Sequence, residues 1–361
     1  MRNSDYCDGG HEITGGARNG RFSGERHQAE SYRPRIVDEW QLAPAIWDEV
    51  RHRVDDDSAN KGQWILTGSS TPLNENRPNH SGAGRIGRIR MNPLTLYESG
   101  LSTGAVSLSG LFEHKFAAAK SEISTQMLLD AVCRGGWPEA VALPVSDAQI
   151  LIREYMRLTL TESVPRQGKD PDVARRLLDS LARNISQAVT FKTLRKDMYG
   201  TEENLDDFIS ERTVSGYTAM FENMFVIDPI KGWVPPARDP KRLQTKACRY
   251  FADPSIAAAM LGMSPAALIG DWQTFGFLFE NLCIRDLLVY ARSLLDIGIE
   301  PVRYYRDDSG LECDAIIELS DGRWGGIEIK SSEDKVPEAS ANLCRLKDKL
   351  LRNPSARTRE P

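Results

Sequence analysis

Residues 34–51 read PRIVDEWQLAPAIWDEVR, and this run decides how the first ordered part of the chain is read. Arg35-Ile36-Val37 is a short β-type stretch that ends in two acids, Asp38 and Glu39. Leu42, Ile46, Val50 and Val54 then recur every four residues, the spacing of one face of a helix. Pro44 falls in the first turn of that helix, where a missing N–H costs nothing. Gln63 to Leu66 forms a second β-type stretch, closed by Thr67-Gly68-Ser69-Ser70. A polar loop containing Pro72, Pro78 and Gly82 leads to an expected third strand, Ile86 to Met91, bounded by Asn92-Pro93. Strand, helix, strand in so short a span predicts a βαβ unit and therefore a parallel sheet.

The chain around this unit has 361 residues, 40 % hydrophobic and 27 % charged, which is enough for two or three domains. The sequence contains no long apolar run and its start lacks a basic-then-apolar profile, so a cytoplasmic protein without a membrane partner is expected. Six widely spaced cysteines without a C-x-x-C pair suggest neither a zinc site nor a disulfide framework. A net charge of −5 argues against a generally basic nucleic-acid coat and leaves room for a local basic face. Two gaps in the composition are more informative. The five histidines end at His114, so chemistry beyond that point must rest on carboxylates, lysine, arginine or hydroxyls. The first lysine is Lys61.

Residues 1–32 are rich in Gly, Ser, Arg and Asn without apolar periodicity and read as a disordered leader or remnant. Helical patterning dominates from about residue 120 to 230, with segments at 123–133, 147–161, 173–188, 191–198 and 214–225. Gly135-Gly136 ends the first of these, and Asp170-Pro171-Asp172 starts the third. A hairpin-like stretch spans 225–251. A long amphipathic helix follows over 275–295, then strands at 302–305, 312–319 and 324–330, a helix at 337–351 and a polar tail at 352–361.

Adjacent acids at a strand's carboxyl end have two readings. They can hold magnesium and polarise a water beside a nucleotide, or they can sit at a helix N-terminus, where the dipole favours negative charge. Thr67, Ser69 and Ser70 would place hydroxyls beside them. Arg85, with Arg88 and Arg90 after it, can clamp phosphate or form a solvated basic edge.

Taken in order, PRIVDEWQLAPAIWDEVR, LTGSS (66–70), HSGAGRIGRIRMNPLTLYESG (80–100) and GGWPEAV (135–141) resemble a prokaryotic family of predicted AAA-type P-loop ATPases that carry a C-terminal domain of unknown function. The resemblance covers roughly residues 33–350. It implies an α/β architecture: a partial AAA-type parallel sheet over 33–118, a helical lid or linker over 119–165, a winged-helix-like domain over 166–255 and a restriction-endonuclease-like domain over 256–351. It implies ATP and Mg²⁺ as cofactors, Asp38 and Glu39 as Walker B acids, Thr67 to Ser70 as a sensor-1 strand end, and Arg85 as an arginine finger or sensor. A finger acting in trans would make the protein a homo-oligomer. This sequence departs from the family at one point: no Gly-Lys-Ser/Thr loop precedes Asp38, because no lysine precedes Lys61. The expectation is an N-terminally truncated or diverged member with impaired ATP hydrolysis.

In the middle, three helices followed by a hairpin have the order of a winged helix, and Lys231, Arg238, Lys241 and Arg242 on the hairpin are candidate DNA contacts. A docking or purely structural role is the alternative. The last region holds Asp314 on one expected strand and Glu328 with Lys330 on the next, fourteen residues on. Two carboxylates converging on a divalent cation, with a lysine beside the attacking water, suit a metal nuclease. The pattern looks like the D…E-x-K motif of restriction-endonuclease-like folds, with Glu280 on the preceding helix as an additional metal-binding acid. On an exposed strand E-x-K is more commonly a charge pair. The chain's end soon after Leu351 leads to the further expectation of a missing edge strand and a nuclease relic. A non-enzymatic DNA- or protein-binding module is the alternative function.

Overall fold

The computed structural model describes residues 34–68, 82–117, 119, 121–200, 209–235, 239, 241 and 245–352. Within them, residues 34–68 and 82–86 form one compact unit, and the residues from Gly87 onward form a second. Ser69, Ser70, Arg238 and Arg242 lie outside the described residues, as do the expected leader and nearly all of the expected tail.

In the first unit, β1 (Arg35–Val37) pairs in parallel with β2 (Trp64–Leu66), placing Ile36 opposite Ile65 and Val37 opposite Leu66. Helix α1 (Ala45–Asp56) makes the crossover, as the βαβ pattern requires. Trp47 and Val50 are its buried residues. The four-residue periodicity begins one step too early: Leu42 belongs to a 3-10 turn, Trp40–Leu42, and is 78 % exposed.

The expected strand from Ile86 to Met91 does not form. That stretch is irregular, with no strand paired to it among the described residues, and Ile89 and Met91 point to solvent. Arg90 explains the conformation beyond Gly87. Its guanidinium takes both carboxylate oxygens of Asp228 and stacks 5.0 Å from the Phe225 ring, so the segment is held by a side chain and not by a ladder.

The second unit begins with short α2 (Leu108–Phe112), α3 (Thr125–Arg134) and α4 (Pro138–Val141). Helix α5 (Val145–Leu158) runs into a π-turn, Thr159–Ser163, and short α6 (Val164–Arg166). Then come α7 (Pro171–Arg183), α8 (Phe191–Tyr199) and α9 (Glu211–Asn223). Side chains cap these helices, the first at the Asp170 start expected from the sequence. Asp170 accepts from the N–H groups of Asp172 and Val173, Thr190 from that of Thr193, and Ser210 from that of Thr213. An Asp170→Ala variant is expected to lose about 1 kcal/mol of stability in urea unfolding, with no change in the slope of the transition.

Strands β3 (Ile227–Ile230) and β4 (Cys248–Phe251) are antiparallel. After α10 (Pro254–Met260) and α11 (Pro265–Ile269), the long α12 (Trp272–Arg292) leads to β5 (Arg303–Arg306), β6 (Glu312–Glu318), β7 (Trp324–Ile327) and α13 (Val336–Leu351). The last three strands form an antiparallel sheet in sequence order. Beyond β3, Trp233 N–H donates to Tyr304 O at 2.6 Å, which ties the β3 end to β5.

Helix α12 connects two cores. Phe275, Leu278 and Leu282 pack into a helical core with residues of α3, α5 and α7 to α10, whereas Ile284, Leu288 and Ala291 pack with Ile230, Tyr250, Ala315 and Ile317. Helix α13 covers the other sheet face through Leu346 and Leu350, against Trp233, Ile316 and Trp324. β3 and β4 contribute to both cores, Ile227 and Phe251 to the helical one and Ile230, Cys248 and Tyr250 to the one shared with the sheet. Cys133, Cys248 and Cys313 are buried free thiols, each pushed up to about 12 chiefly by burial, so none is a ready nucleophile. No helix among the described residues is long and apolar enough to cross a membrane.

Candidate functional site

Parallel pairing brings the ends of β1 and β2 side by side, and with them the first set of candidate residues. Thr67 N–H donates to Val37 O at 2.9 Å and Trp40 N–H to Thr67 O at 3.1 Å, so the backbone fixes Thr67 beside the acids. The Thr67 hydroxyl then donates to Asp38 Oδ1, which also accepts from Glu39 N–H at 3.0 Å. Asp38 Oδ2 makes no hydrogen bond among the described residues. Glu39 sits in the left-handed region, at φ 49°, and its carboxylate accepts from the Gln41 amide. It makes no side-chain cap to the turn that follows, so the helix-cap reading of this acid is not realised.

Arg85 is not brought to these acids. It donates to Asp55 Oδ1 at 2.7 Å, and its guanidinium, by hydrogen bond and charge, holds that carboxyl below its ordinary range. Asp55 lies in the last turn of α1, which runs back along the strands. Arg53 from the same turn and Arg35 at the start of β1 both stack on Trp64 at the start of β2. The Arg85 pair is thus at the opposite end of the strands from Asp38.

The second set gathers at the end of the C-terminal sheet. Going from the Arg303–Ile316 pair to the Tyr305–Cys313 pair advances two residues on β5 and three on β6, so β6 carries one extra residue between Cys313 and Ile316. Asp314 lies in this bulge. Its Oδ2 accepts from Ile329 N–H at 2.7 Å, the place a ladder carbonyl would otherwise take, which is why β7 stops at Ile327 and not at the expected Lys330. Lys330 Nζ bridges Glu328 Oε2 at 2.6 Å and Asp314 Oδ2 at 3.3 Å. Burial works against the lysine's charge, but the two carboxylates outweigh it and hold Lys330 protonated above its ordinary range. Asn342 of α13 donates to Glu328 Oε1 and to Glu312 O.

Glu280, on α12, lies close enough to Asp314 and Lys330 to feel both charges. Burial pushes its carboxyl up to about 7; Tyr250 OH, donating at 2.7 Å, opposes the rise and Asp314 adds to it. Among the described residues no three His, Cys, Asp or Glu side chains stand together as metal ligands. In this structure Lys330 lies where a cation between Asp314 and Glu328 would lie. Tyr250 and Asn342 were not legible as site residues: a tyrosine in an apolar strand and an asparagine on a polar helix face carry no motif.

On the hairpin, Lys231 pairs with Glu300 at 2.6 Å, which neutralises one candidate DNA contact, and Lys241 is exposed.

Two of the motifs that carried the family resemblance meet at a buried ion triad. Arg285, 5 % exposed, donates to Asp253 Oδ2 at 2.7 Å and twice to Asp286 Oδ1, at 2.7 and 2.9 Å. Asp253 Oδ2 also accepts from Gly136 N–H, and Asp286 Oδ2 from Leu96 N–H, each at 2.9 Å. The triad therefore pins GGWPEAV and NPLTLYES to α10 and α12. Trp137 joins it by donating to Ser255 Oγ, itself bonded to Asp253. Gly135 has φ 76°, and a Cβ on Gly136 would overlap the Leu94 backbone, so both glycines are required sterically.

Comparison with known families gives three matches. The family model of an AAA domain matches residues 19–100; a domain of unknown function, DUF8612, matches residues 125–267; and another, DUF4143, matches residues 275–358. No curated protein and no solved structure matches the chain. The N-terminal part is thus similar to an AAA domain, and two later stretches are similar to domains of unknown function.

Proposed function

We propose that residues 34–68 supply the acid side of a magnesium–nucleotide site, that residues 1–60, which contain no lysine, supply no phosphate-gripping loop, and that the 361-residue chain is impaired in ATP hydrolysis. One observation carries the reading: Asp38 and Thr67 are joined at the paired ends of two parallel strands, while no lysine precedes Lys61. The residues present fit a magnesium ion in part, because Asp38 keeps a carboxylate oxygen beyond the one used by Thr67 and Glu39. They do not supply the lysine that neutralises a triphosphate. The expected result is that magnesium-dependent phosphate release from ATP by the full chain equals that of a Glu39→Gln variant. Turnover that disappears in Glu39→Gln would overturn the proposal.

The C-terminal half is proposed to face DNA. The support is the succession of α7, α8 and α9 followed by the β3–β4 pair, the order of a winged helix, with Arg212 exposed at the start of α9. A second reading, a metal-dependent nuclease, is favoured by the convergence of Asp314 and Glu328 on Lys330. It expects manganese-dependent nicking of plasmid that is lost in Asp314→Asn. Nicking that persists in an Asp314→Ala, Lys330→Ala double variant would exclude this site.

A further inference from the structure

Apart from these sites, α5, its π-turn, α7 and α10 together line a cavity of about 430 Å³. Arg153 and Arg157 of α5, four residues apart on one helix face, and Arg175 of α7 stand around it. Its apolar lining includes Met156, Leu160 and Met260, of which Met156 and Leu160 belong to the buried core. Arg157 pairs with Glu154 at 2.8 Å and Arg175 with Asp179 at 3.3 Å, both on their own helices and both exposed. Pairs of this kind hold weakly and release the arginine readily. Arg153 has no carboxylate partner among the described residues. The π-turn, an irregularity frequent at functional sites, contributes Leu160 to the lining.

We propose that this cavity binds a nucleoside phosphate, with the phosphate among Arg153, Arg157 and Arg175 and the base against Met156, Leu160 and Met260. Guanidinium forks match phosphate oxygens two at a time, and three of them face one opening. The volume falls in the range of small-molecule pockets, roughly 300–1,000 Å³, and the apolar lining gives a bare anion nothing to bind. An acidic peptide fits less well. Glu154, Asp179 and Asp172 already stand at these arginines, so an incoming carboxylate exchanges like for like, whereas a phosphate dianion brings more charge and more acceptor oxygens. The site lies wholly within the second unit and uses neither Asp38 nor Glu39.

A free nucleotide and the phosphorylated end of a nucleic-acid strand present the same chemistry. Calorimetric titration of the full chain with AMP, adenosine, inorganic phosphate and a 5′-phosphorylated oligothymidylate separates them. AMP is expected to bind, with adenosine and phosphate each weaker by about tenfold or more, and an Arg153→Gln, Arg157→Gln double variant is expected to lose at least about tenfold in AMP affinity. An Asp38→Asn variant should bind AMP as the parent does. Oligonucleotide binding that is tighter than AMP, and lost in the double variant, supports the site and identifies a strand end as its ligand. The proposal is overturned if neither AMP nor the phosphorylated oligonucleotide binds, if the folded double variant binds them unchanged, or if inorganic phosphate binds as tightly as they do.

Discussion

Replacing Arg285 with methionine is expected to cost the second unit about 3–5 kcal/mol, the range for removing one partner of a buried ion group. The cost comes from what the arginine leaves behind. Asp253 is fully buried and Asp286 nearly so, and both are fixed by backbone N–H groups that cannot follow them to water. Burial pushes the Asp286 carboxyl up and the guanidinium opposes that rise, so in the variant Asp286 is expected to take up a proton. Its deficit should therefore grow as pH rises from about 5 to 8, because the unfolded chain sheds that proton near pH 4 and the folded variant holds it longer. Urea unfolding of both proteins across that range measures the effect. A second neutralisation, Asp286→Asn in the Arg285→Met background, should cost much less than Asp286→Asn alone, since the charge it removes is no longer paired. A loss below about 1 kcal/mol in Arg285→Met would mean that the triad does not pin these two motifs.

The triad also marks where sequence reading reached its limit. The capped helix starting after Asp170, the βαβ unit and the long helix ahead of the final strands were legible because each depends on local spacing. Arg285-Asp286 carries no motif within the expected helix over 275–295; Asp253, Gly136 and Leu96 converge on it from far along the chain. The same limit explains the missing strand. The stretch from Ile86 to Met91 has strand-like alternation, but Arg90 is committed to Asp228, and nothing local announces that partner. At the C-terminal site, the E-x-K spacing correctly brought Glu328 and Lys330 together. What the spacing could not contain is the extra residue in β6 that lets the Asp314 side chain end the ladder and meet Lys330. An inserted residue is visible only once two strands are laid side by side.

Burial raises the Glu280 carboxyl, the Asp314 charge in that bulge adds to the rise, and a second large effect follows. A carboxyl raised to about 7 in the folded protein, against about 4.5 in the unfolded chain, binds a proton that the unfolded chain has already released. Folding stability must then fall as pH rises through the window from about 4.5 to 7, and level off above it. The ionised group costs about 3 kcal/mol at pH 8 and almost nothing below pH 4.5. Glu280→Gln keeps an oxygen for the Tyr250 hydroxyl but cannot ionise. In the presence of a chelator the variant is therefore expected to match the parent near pH 4.5 and to exceed it by about that amount at pH 8, measured as the difference between their urea unfolding curves. Parallel curves across the range would show that Glu280 ionises freely. Manganese distinguishes the two readings of the site. A cation held by Glu280 and Asp314 favours the ionised carboxylate and binds only the folded state, so it should flatten the parent's pH slope and stabilise the parent above pH 7 while leaving Glu280→Gln nearly unchanged. If Lys330 is instead the permanent occupant of the space between Asp314 and Glu328, manganese should shift neither curve, and the carboxylates serve to close the end of the sheet.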